Sequence, residues 1–433
     1  MHRNAEADVG RRAPRVGPVP DSSRRANDRS HPVLAGRTAT PRPLYGSSLQ
    51  DVLLASRRHA MTLAFAPTLP DLLRARAEVT PDRTAFSEWG ADPKHSLPLT
   101  WAEFAARVQL LAAYLASRGI RSGSRVGILA KNSVDWEVAN FAIMTCGAVS
   151  VGLDVHASDE LIMDAIRSTA VEALFSDDLD RVQRVEALGL HPLQLVIAFR
   201  SRDQELPSGV VALPDALAYA GDFALVLPNA SDGALIVFSS GTSGIPKAIE
   251  YSHEQVICAV RCIAAAFSDV PEATRLVCWL PLSNLFQRII DFVGILRGDR
   301  TWVLATPQDV MAAVKAVRPE VLIGVPRFFE RIHEGLGARL RNLPGFLSDV
   351  AGGALARSSF DARGRRPRWS RFIVSPLIRL LVRRIFGGEV RLLISGSAPM
   401  PLWLHAFFED CGLPVYEAYG VSECVVPIAL NRP

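Results

Sequence analysis

No apolar run in this chain is long enough to cross a membrane as a helix, and no secretory signal is visible. The expected setting is therefore a reducing cytoplasm. Cysteine is sparse, six in 433 residues, with no CxxC spacing and no histidine cluster. That argues against both a zinc site and a disulfide framework. Cys258 and Cys262 lie one helical turn apart and read as core residues, because free cysteine is among the most buried residue types. Charge is also modest, at 21% of residues against 49% apolar, the balance of a globular chain with a large core. The net charge of +4 is unevenly spread, since residues 1–60 hold eleven Arg and five acidic residues and so carry +6, leaving −2 for the rest. A body of that sign is not a nucleic-acid binder. There is no internal repeat and no coiled-coil pattern.

The length suits two or three domains. Residues 1–60 are rich in Arg, Pro, Ser and Ala and have little apolar periodicity. Such a segment cannot bury enough surface to offset its ordering entropy, so a disordered Arg/Pro-rich extension is expected. Glu6, Asp8, Asp21 and Asp28 argue against an Arg-rich targeting peptide. A start of translation at Met61 is a third reading.

The stretch from Ala234 to His253 reads ALIVFSSGTSGIPKAIEYSH. Five apolar residues, Ala234 to Phe238, suit a buried parallel strand. A loop of small residues follows, then Pro246 and Lys247. Gly241 and Gly244 allow close backbone approach. Ser239, Ser240, Thr242 and Ser243 add hydroxyl donors to the backbone N–H groups, and Lys247 adds a full charge, which together suit phosphate. Ser252 with Gln255 fits a capping box opening a helix. The loop is not a Walker A loop, because Pro246 precedes Lys247 and Ala248 follows it.

This text resembles the phosphate-binding signature YTSGTTGxPKG of the adenylate-forming superfamily, which includes acyl-CoA synthetases, luciferases and the adenylation domains of peptide synthetases. Phe238, Ser239 and Ser243 are mild departures, and Ala248 in place of Gly is a larger one. The resemblance begins near Thr68, where TLPDLLRARAEVTPDRTAF looks like the opening helix of an acyl-CoA synthetase.

Between the ends the pattern alternates helix and strand. Thr100 with Glu103 makes a capping box, and Trp101, Phe104, Val108, Leu111 and Leu115 mark one helical face. Val126–Leu129, Val149–Val151, Ala173–Phe175 and Leu195–Phe199 read as strands. Helices are expected from about Ser133 to Cys146, and through Ile166 behind a Ser158 cap. Such alternation implies an α/β fold with parallel sheets covered on both faces. The resemblance implies more: an adenylate-forming N-terminal domain over 61–433 with two doubly wound α/β subdomains, approximately 61–230 and 231–433.

In the second half, Leu276–Leu280 leads as a strand into PLSNLFQRIIDF, which resembles the family's LPLxHxFER stretch beside the acyl and adenylate site. Asn284 stands where His is usual and Gln287 where Glu is usual. Asn284 can donate a hydrogen bond but cannot titrate near neutral pH, and it is equally a favoured residue at a helix N-terminus. Val321–Gly324 is a further strand, and VPRFFERIHEGLGARL with LFQR looks most like the long-chain fatty acid branch. From Arg357 to Arg391 there are ten Arg and two acids, Asp361 and Glu389. The stretch 363–391 therefore reads either as a peripheral membrane contact or as the solvated face of a packed helix. After the strand Leu392–Ser395, the turn Gly396, Ser397, Ala398 and Pro399 resembles the family's adenine turn. VYEAYGVSE resembles the end of the site, which implies Tyr419 and Gly420 against the purine, Ser422 in place of Thr, and Glu423 as the carboxylate for Mg2+.

The resemblance implies ATP-dependent activation of a carboxylic acid to an acyl-adenylate, then transfer to coenzyme A. Lys247 and Glu423 would be the catalytic residues, with a fatty acid as substrate. No stretch matches the family's barrel-like subdomain or the small C-terminal domain with its lysine for the α-phosphate, so the chain reads as truncated before them. A separately encoded C-terminal domain is one expectation, and loss of acyl-CoA formation by the chain alone is another. Two alternatives stay open: an adenylating enzyme for an aryl acid or carrier-protein substrate, and a non-catalytic nucleotide- or acyl-binding remnant.

Overall fold

The structure, a computed structural model, describes residues 63, 65–90, 98–190, 192–199, 205–221, 225–239, 246–341, 376–425 and 429–431. The reading of residues 1–60 falls outside these, as do Ser240, Gly241, Thr242, Ser243 and Gly244 of the phosphate loop and residues 363–375 of the basic stretch. In chain order the described strands are β1 (Thr84–Glu88), β2 (Leu99–Thr100), β3 (Arg125–Leu129), β4 (Val149–Gly152), β5 (Ala173–Ser176), β6 (Leu195–Ala198), β7 (Val210–Ala212), β8 (Gly233–Ser239), β9 (Lys247–Ser252), β10 (Arg275–Cys278), β11 (Arg300–Val303), β12 (Val321–Gly324), β13 (Leu392–Ser395), β14 (Val415–Tyr419) and β15 (Ala429–Leu430). The helices are α1 (Leu69–Val79), α2 (Trp101–Ser117), α3 (Val134–Thr145), α4 (Asp159–Ser168), α5 (Leu179–Ala187), α6 (Leu213–Leu217), α7 (His253–Ala266), α8 (Leu285–Arg297), α9 (Val310–Val317), α10 (Pro326–Arg341), α11 (Pro376–Ile385) and α12 (Leu402–Asp410).

Three sheets result. The largest has seven strands in the order β7-β6-β5-β3-β4-β8-β9, all parallel except the β8–β9 hairpin. A second runs β10-β11-β1-β2, and a third β12-β13-β14-β15. The first two sheets each draw strands from both sides of residue 230, so that position does not divide one sheet from another.

The sequence explains the layering. Alternate residues of a strand point to opposite faces. In β5, Ala173 and Phe175 enter a core shared with α1, α2, α3, α7 and α8. Leu174 enters a separate core with Ile162 and Ile166 of α4 and Val182 and Val185 of α5. Both faces are therefore covered, and strands such as β4 and β6 are buried at every position. A further core gathers α9 to α12 around β12 and β13.

Helix starts follow their caps. The Thr100–Glu103 and Ser252–Gln255 capping boxes both form, and Ser133 and Ser158 accept from the backbone N–H groups of Trp136 and Leu161. One expectation is corrected. Cys258 and Cys262 are exposed, not core. The buried stripe of α7 runs through His253, Val256, Ile257, Val260 and Ile263, and residues 258 and 262 fall on the opposite side of the helix. No helix among the described residues is long and apolar enough to cross a membrane.

Candidate nucleotide and acyl site

The carboxyl ends of four parallel strands converge on one cleft. Gly152 ends β4, Ser239 ends β8, Gly396 and Ser397 follow β13, and Gly420 follows β14; all line a cavity of about 630 Å³. Open α/β sheets place ligands at such ends, because the connecting loops there are free to carry polar groups.

The phosphate loop is held at both ends by a hairpin. Ser239 pairs with Lys247 across β8 and β9, so Lys247 is the first residue of a strand and its side chain is exposed. Pro246 lines the cleft beside it. Sequence reasoning missed β9. Its signal was the alternation Ile249 and Tyr251 against Ala248, Glu250 and Ser252, half-masked by the charge on an edge strand.

Across the cleft, the turn after β13 packs tightly. A side chain at Gly396 would place its Cβ 2.9 Å from the Phe286 ring, which explains the glycine. Ser397 takes a φ of 69°, unusual for a residue with a side chain, and Val425 takes 61°; both line the cleft. Ala398 and Pro399 are exposed. Glu417 on β14 ties this turn down: its carboxylate accepts from Met400 N–H at 3.0 Å, and His405 Nε2 lies 3.0 Å from its other oxygen.

Tyr419 at the end of β14 is 61% exposed, so its ring face is free to stack. Ser422 and Glu423 sit in a short 3-10 turn, with Glu423 exposed. The Tyr251 hydroxyl, from β9, donates to the Ser422 carbonyl. Burial first, and the nearby Glu423 carboxylate second, push the Tyr251 phenol up to about 12, so it stays a donor at neutral pH.

Asn284 is the N-cap residue of α8, but its side chain makes no capping hydrogen bond and is exposed at the cleft. Gln287 does not face the cleft. It is buried, accepting from Leu280 N–H and donating to Asp291, whose carboxyl is pushed well above its usual range by burial. Asn132 was not foreseen. Its side chain donates to Leu280 C=O at 2.8 Å and accepts from Leu282 N–H at 2.9 Å, which fixes the loop leading to Asn284. Gly152 is equally necessary, since a Cβ there would meet the Ser283 backbone at 2.9 Å. Beneath the site Arg288 is fully buried, donating to Asn140 and to Ser150 and lying over the Trp136 ring. Burial pulls its guanidinium down to about 10 and pushes Glu137 nearby up to about 7.

Among the described residues no cluster of three or more His, Cys, Asp or Glu could hold a metal by itself.

A cleft at the carboxyl ends of parallel strands, with the Ser239–Lys247 hairpin at its edge, is where open α/β proteins bind ligands. The AMP-binding enzyme family matches residues 73–433, and the chain belongs to that family. It is 26% identical over 353 residues to the long-chain-fatty-acid–CoA ligase FadD15 of Mycobacterium bovis, covering 77% of this chain and 57% of that protein. It thus spans little more than half of that relative's length. The adenylation and carrier didomain of a carboxylic acid reductase from Segniliparus rugosus, solved with AMP, superposes with a TM-score of 0.68 at 21% identity, over 88% of this chain and 57% of that one. An anthranilate CoA ligase with anthranoyl-AMP superposes with a TM-score of 0.62 at 18% identity, over 84% and 61%. These two likenesses concern the fold, which is that of the N-terminal domains of adenylate-forming enzymes.

Proposed function

We propose that this chain supplies the nucleotide- and acyl-binding part of an enzyme that activates a long-chain fatty acid with ATP and passes it to coenzyme A. The observation that carries this reading is the convergence of β4, β8, β13 and β14 on one cleft bordered by the Lys247 hairpin. The fatty acid rests on likeness to long-chain ligases.

In the first step a carboxylate oxygen attacks the α-phosphorus of ATP and pyrophosphate leaves. In the second a thiol attacks the acyl carbonyl and AMP leaves. A bare carboxylate resists thiols, and the mixed anhydride removes that resistance by providing a good leaving group. The protein's task is positioning and offsetting charge. Lys247, Ser239 and the loop hydroxyls of Ser240, Thr242 and Ser243 hold the β- and γ-phosphates, with the backbone of Gly241 and Gly244. Gly396, Ser397, Ala398 and Pro399 admit the adenine, and Tyr419 and Gly420 close on its other side. Asn284 orients the carboxylate through its amide. Glu423, with Ser422 beside it, would hold Mg2+, which would neutralise phosphate charge.

ATP–pyrophosphate exchange tests the reading over palmitate, laurate, benzoate and anthranilate. Palmitate-dependent exchange is expected. Exchange with the aryl acids alone would remove the fatty acid, and ATP binding with no exchange on any acid would leave only a binding role.

A further inference from the structure

A second cavity, of about 780 Å³, shares no lining residue with the cleft among the described residues. It lies between α9, α10 and α11. Two stripes of α10 build one side. Phe328, Ile332 and Leu336 recur every four residues and are buried. Arg327, Arg331 and Gly335, each one position earlier, form the neighbouring stripe and are exposed. Leu381 and Ile385 of α11 and Trp279 complete the apolar floor.

Charge on the lining is of one sign. Lys315, Arg327, Arg331 and Arg384 line the cavity, and among the described residues no carboxylate does. Arg327 is paired with Glu330 at 2.8 Å. The other three cations have no ion-pair partner among the described residues. An apolar floor with a few convergent charges is the composition of a ligand pocket, not of a packing defect. Its dimensions suit a single acyl chain, and its exposed cations suit an anionic head.

We propose that this cavity binds a single-chain anionic amphiphile, with the tail on the Phe328–Ile332–Leu336 stripe and the head among Lys315, Arg331 and Arg384. Carboxylate and phosphate heads share this chemistry, so the ligand is either a free fatty acid or a lysophospholipid. The site does not depend on the proposed reaction, since among the described residues Ser239, Lys247 and Glu423 do not border it.

Gly335 supplies the test. It lies within a helix and lines the cavity, and a Cβ there meets nothing within 4 Å. Gly335→Phe should therefore fill the space without disturbing the backbone. The probe is a sixteen-carbon fatty acid carrying a photoreactive diazirine, with peptide mapping after irradiation of the full chain. Labelling of peptides from α10 and α11 is expected, and its loss in Gly335→Phe. Arg331→Gln with Arg384→Gln should weaken competition by laurate or dodecyl phosphate roughly tenfold and leave that by dodecyl maltoside unchanged. Competition by lysophosphatidate but not palmitate assigns the phosphate head, and the reverse assigns the carboxylate. Unchanged labelling in Gly335→Phe, or equal competition by a dodecyl cation, overturns the proposal. So does binding only to anionic vesicles and to no monomeric amphiphile, which would make the basic surface a membrane contact instead.

Discussion

The Tyr251 hydroxyl donates to the Ser422 carbonyl across 171 residues of sequence and so fastens the turn carrying Glu423 to the strand that begins at Lys247. Lys247 and Glu423, the two charged groups proposed to act on the nucleotide, are thereby held in one frame. Tyr251→Phe keeps the buried ring and removes this one bond, a change of about 1 kcal/mol. We expect about fivefold weaker binding of Mg–ATP by titration calorimetry, with a small change in melting temperature. Equal affinity would show that the turn is held by other contacts.

Lys247→Ala should weaken ATP binding and leave thermal stability close to the parent's, because the side chain is exposed. Calorimetry with ATP, alongside a melting curve, reads both. A large loss of melting temperature would instead make Lys247 a structural residue of the hairpin.

Gly152 and Gly396 in the cleft should behave differently. Gly152→Ala drives a Cβ into the Ser283 backbone, which cannot yield, so a loss of about 1–3 kcal/mol is expected in urea unfolding. Gly396→Ala meets only the far edge of the Phe286 ring, which can turn. Stability should fall less there, while ATP affinity should drop because the ring moves into the cleft. The reverse order of stabilities would contradict the close approach at Gly152.

His253 sets an acid limit. Its Nδ1 accepts from Leu69 N–H, and burial pulls the imidazole down to about 4 from its usual 6.5. Between those values the unfolded chain binds a proton that the folded chain refuses. Stability therefore falls as pH drops from 6.5 towards 4, by about 3 kcal/mol for this group. The difference in unfolding free energy between parent and His253→Asn should shrink over that window. A difference independent of pH would mean that the imidazole titrates normally.

Much of the scaffold was legible because its signals are local. Continuous apolar runs such as Ala173–Phe175 and Leu392–Ser395 became buried strands, and Ser or Thr hydroxyls marked the helix starts. The likeness around Lys247, Tyr419 and Glu423 pointed to the family that the comparisons show. The misses share a cause: each depends on what lies opposite. Cys258 and Cys262 were assigned by residue type, but which side of α7 is buried is decided by the sheet it packs on. Gln287, which stands where the family usually has Glu, is turned inward by Asp291 one turn later and by Leu280. Tyr251 and Asn132 act through partners well over a hundred residues away, which no window of sequence contains.

The place of β1 bears on synthesis. Its residues Phe86, Ser87 and Glu88 pair with Thr301, Trp302 and Val303 of β11, and on its other side lies only the two-residue β2. The ribosome delivers β1 early and its main partner more than two hundred residues later. At ordinary elongation rates of about 5–20 residues per second, that is a wait of roughly ten to forty seconds. During it β1 lacks the strand that flanks it on one side, so this edge of the nascent chain is open to chaperones, and to misassembly, until β11 emerges.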